Sequence, residues 1–266
     1  MGGELSPFAM LIPFRAASLA LVFIASLPVV AADKVLVYTR NFTKDGKGFV
    51  HDNIAACAKA ITELGKENGF EADVSEDPAV FAAANLTQYK ALVFANSNNE
   101  AFATEDQRAA FKAYIQAGGG FVGIHSSTGS EREWPYFQQV QGGKFLVHAP
   151  LQKFTVKVLD ATHPATAHLG KTWEWSDECY FFTNLNADIK VLLAVDAATP
   201  LDKFSLQQPK LGKSNGEFPL AWCREADGAR AFYTSLGHKI EYYSNPALRK
   251  HILGGILWVI KAKPQP

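Results

Sequence analysis

The sequence predicts an α/β fold in which helices cover both faces of a mostly parallel sheet. Short apolar runs at Lys34–Thr39, Lys90–Ala95 and Phe121–Ile124 have the length and composition of strands that are buried on both faces. Between these runs lie segments whose apolar residues recur with helical spacing. Apolar strands joined by crossover helices are typical of parallel sheets, so the two observations together indicate a doubly covered sheet.

The amino-terminal half is predicted to run strand, helix, strand, strand, helix, strand over residues 33–127. The first helix spans Asn53–Asn68 and stops at Gly69, and Phe70–Val74 alternates like a half-buried strand. Thr104-Glu105-Asp106-Gln107 is a capping-box start for the second helix. That helix ends at the glycine triplet 118–120, directly before the strand that leads to His125.

The carboxyl-terminal half is predicted to contain four more strands and a closing helix. The strands are Leu151–Leu159, Ile189–Val195, Phe218–Arg224 and Ala229–Ser235, and the helix spans Asn245–Ala262. A polar loop over residues 196–217, rich in proline and glycine, separates two of the strands. A loop of this length suggests a functional flap or an insertion.

The first 32 residues have the pattern of a secretory signal peptide. Arg15 precedes an apolar stretch over residues 16–27, and Val30-Ala31-Ala32 suits a cleavage site. The apolar stretch is shorter than the roughly 20 residues that span a bilayer, and Pro28 interrupts it. We therefore expect cleavage after Ala32, export to the periplasm or the medium, no membrane attachment afterwards, and one mature domain over residues 33–263.

Composition narrows the classes of partner. The chain has 26 Lys and Arg against 26 Asp and Glu, so it lacks the excess of positive charge that binds the phosphates of nucleic acid. Its three cysteines, Cys57, Cys179 and Cys223, exclude a disulfide scaffold but allow one bridge in an oxidising compartment. The sequence leaves open whether the protein is a monomer or a homo-oligomer.

Histidines and a carboxylate pair mark the candidate site. His125 and His238 each follow an apolar strand, so both are predicted to emerge at the carboxyl edge of the sheet, where α/β proteins bind ligands. His51 precedes a helix whose amino end faces the same edge. His148 and the pair Asp177-Glu178 come from loops able to fold over it.

Two chemistries fit this set. His125, His148 and His238 together form the three-histidine pattern of a catalytic divalent metal site, for which zinc is the expected ion. The same groups also suit a metal-free site, because an imidazole transfers protons near neutral pH. In either case we predict His125, Glu178 and His51 as catalytic residues.

Aromatic and polar residues near these positions are candidates for substrate binding. Flat apolar rings with polar neighbours suit the faces of sugars, whereas ordinary core packing is the alternative for each ring. For Trp134 and Trp175 the two interpretations are evenly balanced, and Trp222 is expected in the core. The predicted substrate-binding residues are Asn96, Trp134, Asp177, Trp175 and Tyr180.

A series of motifs with a characteristic order and spacing runs through the chain: Phe49-Val50-His51, Gly118-Gly119-Gly120-Phe121-Val122-Gly123-Ile124-His125, Gly142-Gly143-Lys144-Phe145 with His148, His163-Pro164, Asp177-Glu178-Cys179-Tyr180, Pro219-Leu220-Ala221-Trp222 and Ser235-Leu236-Gly237-His238. Together these motifs resemble those of the trehalose-utilization (ThuA-like) family. That family has the class I glutamine amidotransferase-like (flavodoxin-like) fold. The resemblance covers nearly all of residues 33–262.

The resemblance implies an activity in carbohydrate metabolism. Glutamine amidotransferases carry a nucleophilic cysteine after the glycine-rich strand, and this chain has His125 there, so amidotransferase activity is not expected. The implied substrates are disaccharides or glycosides, including 3-keto derivatives, handled by a hydrolase, lyase or isomerase. The alternative is a non-catalytic sugar-binding protein that keeps the pocket.

Overall fold

The computed structural model describes residues 1–4, 32–196, 198–199 and 203–261. From Ala32 onward these residues belong to one compact unit. The predicted signal peptide lies almost wholly outside the described residues. Within the described part of the chain, no helix is both long and apolar enough to cross a bilayer.

The amino-terminal half follows the predicted alternation of strands and helices. Thr104 caps its helix in the predicted capping box with Gln107, and Gly69 adopts the left-handed conformation (φ +80°) that ends the first helix. The elements of this half are β1 (Asp33–Tyr38), α1 (Ile54–Asn68), β2 (Phe70–Ser75), α2 (Ala83–Leu86), β3 (Ala91–Ala95), α3 (Glu105–Gln116) and β4 (Gly120–Ile124).

The carboxyl-terminal half contains the four predicted strands together with three that the sequence did not indicate. These additional strands are β5, β7 and β8, which are short or carry polar residues at both faces. The elements in order are α4 (Pro135–Gln141), β5 (Lys144–His148), β6 (Gln152–Val158), β7 (Thr172–Asp177), β8 (Tyr180–Thr183), β9 (Lys190–Val195), α5 (Lys203–Leu206), β10 (Phe218–Ala226), β11 (Ala229–Thr234) and α6 (Pro246–Ile260).

A nine-stranded sheet runs in the order β2-β1-β3-β4-β11-β10-β9-β6-β7. Its pairings from β2 through β11 are parallel, which confirms the predicted α/β class, and those from β11 to β7 are antiparallel. Strands β10 and β11 are joined by a two-residue turn, a connection that only antiparallel neighbours permit. Strands β5 and β8 pair separately as a small antiparallel sheet.

Helices cover both faces of the parallel half, as predicted. Alternate residues of β1 separate the two layers: Val35 and Val37 pack in the cluster that includes α1 and α6, while Leu36 and Tyr38 pack in the cluster that includes α3 and α4. Trp222 is fully buried, as expected. Since both faces are apolar, the carboxyl edge of the sheet is the place where polar side chains can gather.

The three cysteines are buried free thiols. The predicted option of one disulfide is therefore not realised in this structure. Burial raises the pKa of the Cys57 thiol to about 12, so at neutral pH it stays protonated and unreactive. The thiols contribute to the core as small apolar groups.

A hydrogen bond and a close backbone approach join helix α6 to the turn at His163-Pro164. His251 donates from Nδ1 to the carbonyl of Ala165 over 2.8 Å, and a Cβ on Gly254 would lie 2.2 Å from the Pro164 carbonyl. The close approach therefore needs glycine at position 254. Burial lowers the pKa of His251 to about 4, because the interior disfavours the charged imidazole.

We expect the free energy of unfolding to fall as the pH decreases from about 6.5 to about 4. In this window the unfolded chain protonates His251 and the folded chain does not, which costs up to about 3 kcal/mol for this residue. His251→Gln should reduce that dependence by the share of this residue, measured by urea denaturation at several pH values, while His51 and His163, whose pKa values burial also lowers to about 4, keep their shares. His168→Gln, at an exposed histidine, should retain it. An unchanged pH dependence in His251→Gln would contradict this assignment.

Candidate functional site

The turn that follows β4 presents His125 at the carboxyl edge of the sheet. His125 has a left-handed backbone (φ +48°), a conformation that is uncommon for a residue other than glycine. A Cβ on Gly123 would lie 2.5 Å from Ser127 Oγ, so glycine there lets the turn fold back on the strand. Tyr233 donates its hydroxyl to the His125 carbonyl (2.7 Å) and holds the strained turn in place.

The His125 imidazole has a defined tautomer. Its Nδ1 donates to the carbonyl of Ser235 over 2.7 Å, which leaves the lone pair on Nε2. That Nε2 atom lies 3.0 Å from the Tyr180 hydroxyl and 3.2 Å from His51 Nε2. Burial, together with the neighbouring His51, lowers the pKa of His125 well below its usual value, so the ring is neutral near pH 7.

His51 and His238 complete a group of three imidazoles. The ring of His51 is 4.8 Å from that of His125 and 5.5 Å from that of His238, measured between centroids. Burial lowers the pKa of His51 to about 4, and its buried Nδ1 has no hydrogen-bond partner. Asn53 donates to the carbonyls of Gly237 and His238 (2.8 and 2.6 Å), which ties the two histidine-bearing segments together.

Glu178 brings a carboxylate to the three imidazoles. Its Oε2 lies 3.1 Å from His238 Nδ1 and 3.9 Å from His125 Nε2, and its Oε1 lies 3.5 Å from His148 Nδ1. One donor atom from each of His51, His125, Glu178 and His238 lies within 4.8 Å of all the others. The cluster therefore includes His51 in place of the predicted ligand His148, which stands at its border.

This donor set fits a divalent metal. Three imidazole nitrogens and one carboxylate oxygen are ligands that zinc accepts. His125 donates its other ring nitrogen to a backbone carbonyl, which is the usual support of a metal-bound histidine. The Nδ1 of His238 is buried, makes no hydrogen bond and lies 3.1 Å from Glu178 Oε2, so it faces the same space as the other donor atoms.

Asp177, which was predicted to bind substrate, lies beneath the cluster. It acts as a clamp, because its carboxylate joins the backbone at Glu178 to the backbone at Gly237 and His238. It is fully buried and accepts hydrogen bonds from the backbone N–H groups of Glu178, Gly237 and His238 and from the indole of Trp175. Burial raises its pKa to about 7, and these donors act in the opposite direction by favouring the carboxylate. Asp177 thus orients Glu178 and His238 rather than facing the pocket.

An open pocket of about 470 Å³, including its mouth, lies over this cluster. Aromatic rings form much of the wall, and Phe49 is 63% exposed at the rim. The lining residues are Phe49, His51, Asn98, Ser126, Gly129, Arg132, Phe145, His148, Glu178 and Tyr180.

Tyr180, a predicted substrate-binding residue, lines the pocket, and Asn96, another, lies behind the turn after His125. The Tyr180 hydroxyl contacts His125, and its ring packs 4.7 Å from Phe145. Asn96 is fully buried with φ +53° and donates to the Tyr243 hydroxyl over 2.7 Å. Its carbonyl accepts from Ser126 Oγ, so Asn96 holds the turn after His125.

The two tryptophans predicted to stack on sugar pack against protein instead. Trp134 contacts Phe102 and Phe111 at ring-centroid distances of 5.7 and 5.9 Å and does not line the pocket. Trp175 packs 4.9 Å from Tyr242 and bonds Asp177. The amphipathic pattern of a tryptophan near a loop is the same in both environments, so the sequence alone did not separate them.

Sequence reasoning missed pocket residues that lie beside the predicted ones. Phe49 precedes His51 by two positions, and Asn98 belongs to the polar run that follows β3. Arg132 follows the turn after His125, and Phe145 lies in the unpredicted strand β5. Their proximity in sequence to predicted site residues was the available signal.

Comparisons with known proteins identify the family. The sequence profile of the family described as "ThuA: Trehalose utilisation" matches residues 34–259. A ThuA-like protein from Bacteroides uniformis has 22% identity and a TM-score of 0.67 over 89% of this chain and 95% of its own. One from Parabacteroides merdae has 17% identity and a TM-score of 0.65 over 89% and 92%.

A cytoplasmic protein from Salmonella typhimurium also shares the fold, with 14% identity and a TM-score of 0.58 over 86% of this chain and 100% of its own. At such identities the similarity concerns the fold alone. No curated protein gives a significant sequence match.

We expect Asp177→Asn to destabilise the protein and disturb the site. An asparagine nitrogen would face the backbone N–H groups that the carboxylate now accepts, leaving buried donors unpaired at about 1–3 kcal/mol. Urea denaturation measures the loss in the free energy of unfolding. Asp45→Asn, on an exposed turn, should be nearly neutral. Equal stability of both variants would contradict the clamp role of Asp177.

Proposed function

Because the chain belongs to the trehalose-utilisation (ThuA) family, we propose that it is an enzyme of carbohydrate metabolism whose reaction takes place above the His51–His125–Glu178–His238 cluster. The family match indicates carbohydrate metabolism. The observation that carries the proposal is the convergence of four donor atoms within 4.8 Å at the base of an open pocket. Such a cluster is costly to bury without a ligand to share its lone pairs.

The cluster is proposed to hold one divalent metal, with zinc as the ion that suits three imidazoles and one carboxylate. His51, His125, Glu178 and His238 are the proposed ligands. With these four ligands, zinc would have to expand to five-coordination, as catalytic zinc can, in order to polarise an oxygen of the substrate as a Lewis acid. The neutral state of His51 and His125, which follows from their lowered pKa values, leaves their lone pairs available.

His148 is the proposed proton carrier. It is 41% exposed at the pocket wall, and its Nδ1 donates to the Ala149 carbonyl over 3.0 Å, so its Nε2 carries a lone pair. An imidazole in this state accepts protons at neutral pH. Its Nδ1 also lies 3.5 Å from Glu178, whose carboxylate stabilises the imidazolium after proton transfer.

The proposed reaction is glycosidic bond cleavage by elimination from a 3-keto-glycoside. His148 takes the acidic proton from the carbon between the ketone and the anomeric carbon. The freed electron pair forms a carbon–carbon double bond to the anomeric carbon, and the bond to the leaving oxygen breaks. That oxygen then takes the proton back from the His148 imidazolium, so the products are an unsaturated keto-sugar and an alcohol and His148 is neutral again. The aromatic wall of Phe49, Phe145 and Tyr180 suits the faces of a sugar.

We expect the purified protein to bind one equivalent of zinc, measured by elemental analysis after dialysis. His125→Ala should lower zinc affinity at least about 100-fold, since even supporting residues of metal sites contribute 10–100-fold. His168→Ala, at an exposed histidine outside the pocket, is the matched control. His148→Gln should keep the zinc and lose turnover of 3-keto-glycosides.

Other outcomes would change the proposal. Undiminished zinc content in His125→Ala would contradict the metal centre. Sugar binding without turnover or metal would instead favour a non-catalytic sugar-binding protein. Full turnover without metal would favour acid–base chemistry in which Glu178 removes the proton.

The protein is also proposed to be exported, to the periplasm or the medium, after removal of residues 1–32. Strand β1 begins at Asp33, directly after the proposed cleavage site. We expect the exported protein to begin at Asp33, which amino-terminal sequencing would show. Recovery of exported protein that begins well upstream of Asp33 would contradict this cleavage.

A further inference from the structure

An arginine without a carboxylate partner lines the wall of the pocket. Arg132 donates from Nε to the Gly129 carbonyl (3.0 Å), and a terminal nitrogen lies 3.5 Å from Asn98 Oδ1. Its guanidinium lies 5.6 Å from the centroid of the Phe145 ring. Within the described ranges no carboxylate oxygen lies within 4.0 Å of it, whereas Arg108 and Arg249 each pair with glutamates.

The backbone that carries Arg132 is fixed. The preceding residue, Glu131, has a left-handed backbone (φ +47°) and is buried. Its carboxylate accepts from the backbone N–H groups of Ala101 and Phe102 and from Arg108. Lys144 donates to the Arg132 carbonyl over 2.7 Å. The guanidinium is therefore presented to the pocket from an ordered segment, which reduces the entropy lost when a ligand binds.

The surroundings leave room for an anion at the guanidinium. A Cβ on Gly129 would lie 2.3 Å from Asn98 Oδ1 and 3.1 Å from the Arg132 nitrogen, so glycine permits their approach. The neighbouring carboxylate of Glu133 is almost fully exposed, and its nearest cation is Lys144 at 3.8 Å. Glu178 lies against the histidines. The N–H groups of Arg132 that bond neither Gly129 nor Asn98 have no carboxylate acceptor in Glu133 or Glu178.

We propose that Arg132 binds the carboxylate of an acidic sugar, so that the substrate class is a glycoside bearing a uronate group. This inference rests on the proposed function, since it concerns the same pocket. A guanidinium pairs with a carboxylate through two parallel hydrogen bonds that the opposite charges strengthen, and neutral sugar hydroxyls bring no charge to such a pair. Phosphate shares this chemistry, and a single arginine suits the single charge of a carboxylate better.

The test is calorimetric titration of the full-length mature protein with methyl glucuronide, methyl glucoside and glucose 6-phosphate. We expect methyl glucuronide to bind at least roughly tenfold more tightly than methyl glucoside, as a charged hydrogen bond confers. Arg132→Gln should abolish that preference, and Arg132→Lys should retain part of it. Arg230→Gln, at the opposite end of its strand from the site, should leave it unchanged.

The assignment would be overturned by equal affinity for the glucuronide and the glucoside, by binding of neither, or by an undiminished preference in Arg132→Gln. Tighter binding of glucose 6-phosphate than of the glucuronide would replace the carboxylate by a phosphate as the anion and also overturn it. These titrations require no turnover. If the wild-type protein binds zinc but shows no preference for the glucuronide, only this inference is contradicted. If it shows that preference but binds no zinc, only the proposed metal chemistry is contradicted.

Discussion

The hydrogen bond from His125 Nδ1 to the Ser235 carbonyl joins the ends of two neighbouring parallel strands at the centre of the sheet. It fixes the tautomer of His125 and turns the Nε2 lone pair toward His51 and Tyr180. The remaining site residues are arranged around that atom. Because the bond depends on the register of β4 against β11, the geometry of the site follows from the packing of the sheet.

Electrostatics favour a shared proton or a cation in this arrangement. Burial keeps His51 and His125 neutral, so each ring carries one proton and one lone pair beside the Glu178 carboxylate. The two Nε2 atoms lie 3.2 Å apart, so the lone pair on His125 Nε2 can accept the proton of His51 Nε2, and a cation can take the place of that proton. Asp177 and Asn53 hold the backbone of Gly237 and His238 in place beside these atoms.

Local sequence patterns were sufficient to predict the parallel half of the fold and the edge at which His125 and His238 emerge. Apolar strands and helix caps are local features, so β1, β3, β4 and α3 could be located from them. The small sheet of β5 and β8, which positions His148 and Tyr180, could not be predicted, since its strands are short and pair only through long-range contacts. For the same reason the sequence did not separate the buried clamp Asp177 from its neighbour Glu178 in the pocket.

The most direct test of the metal centre is a crystal structure of the zinc-loaded protein with anomalous diffraction measured on both sides of the zinc absorption edge. We predict one anomalous peak bounded by His51, His125, Glu178 and His238, with ligand distances of about 2.0–2.2 Å. A peak elsewhere, or an ordered water hydrogen-bonded to the same four side chains with no anomalous signal, would contradict it.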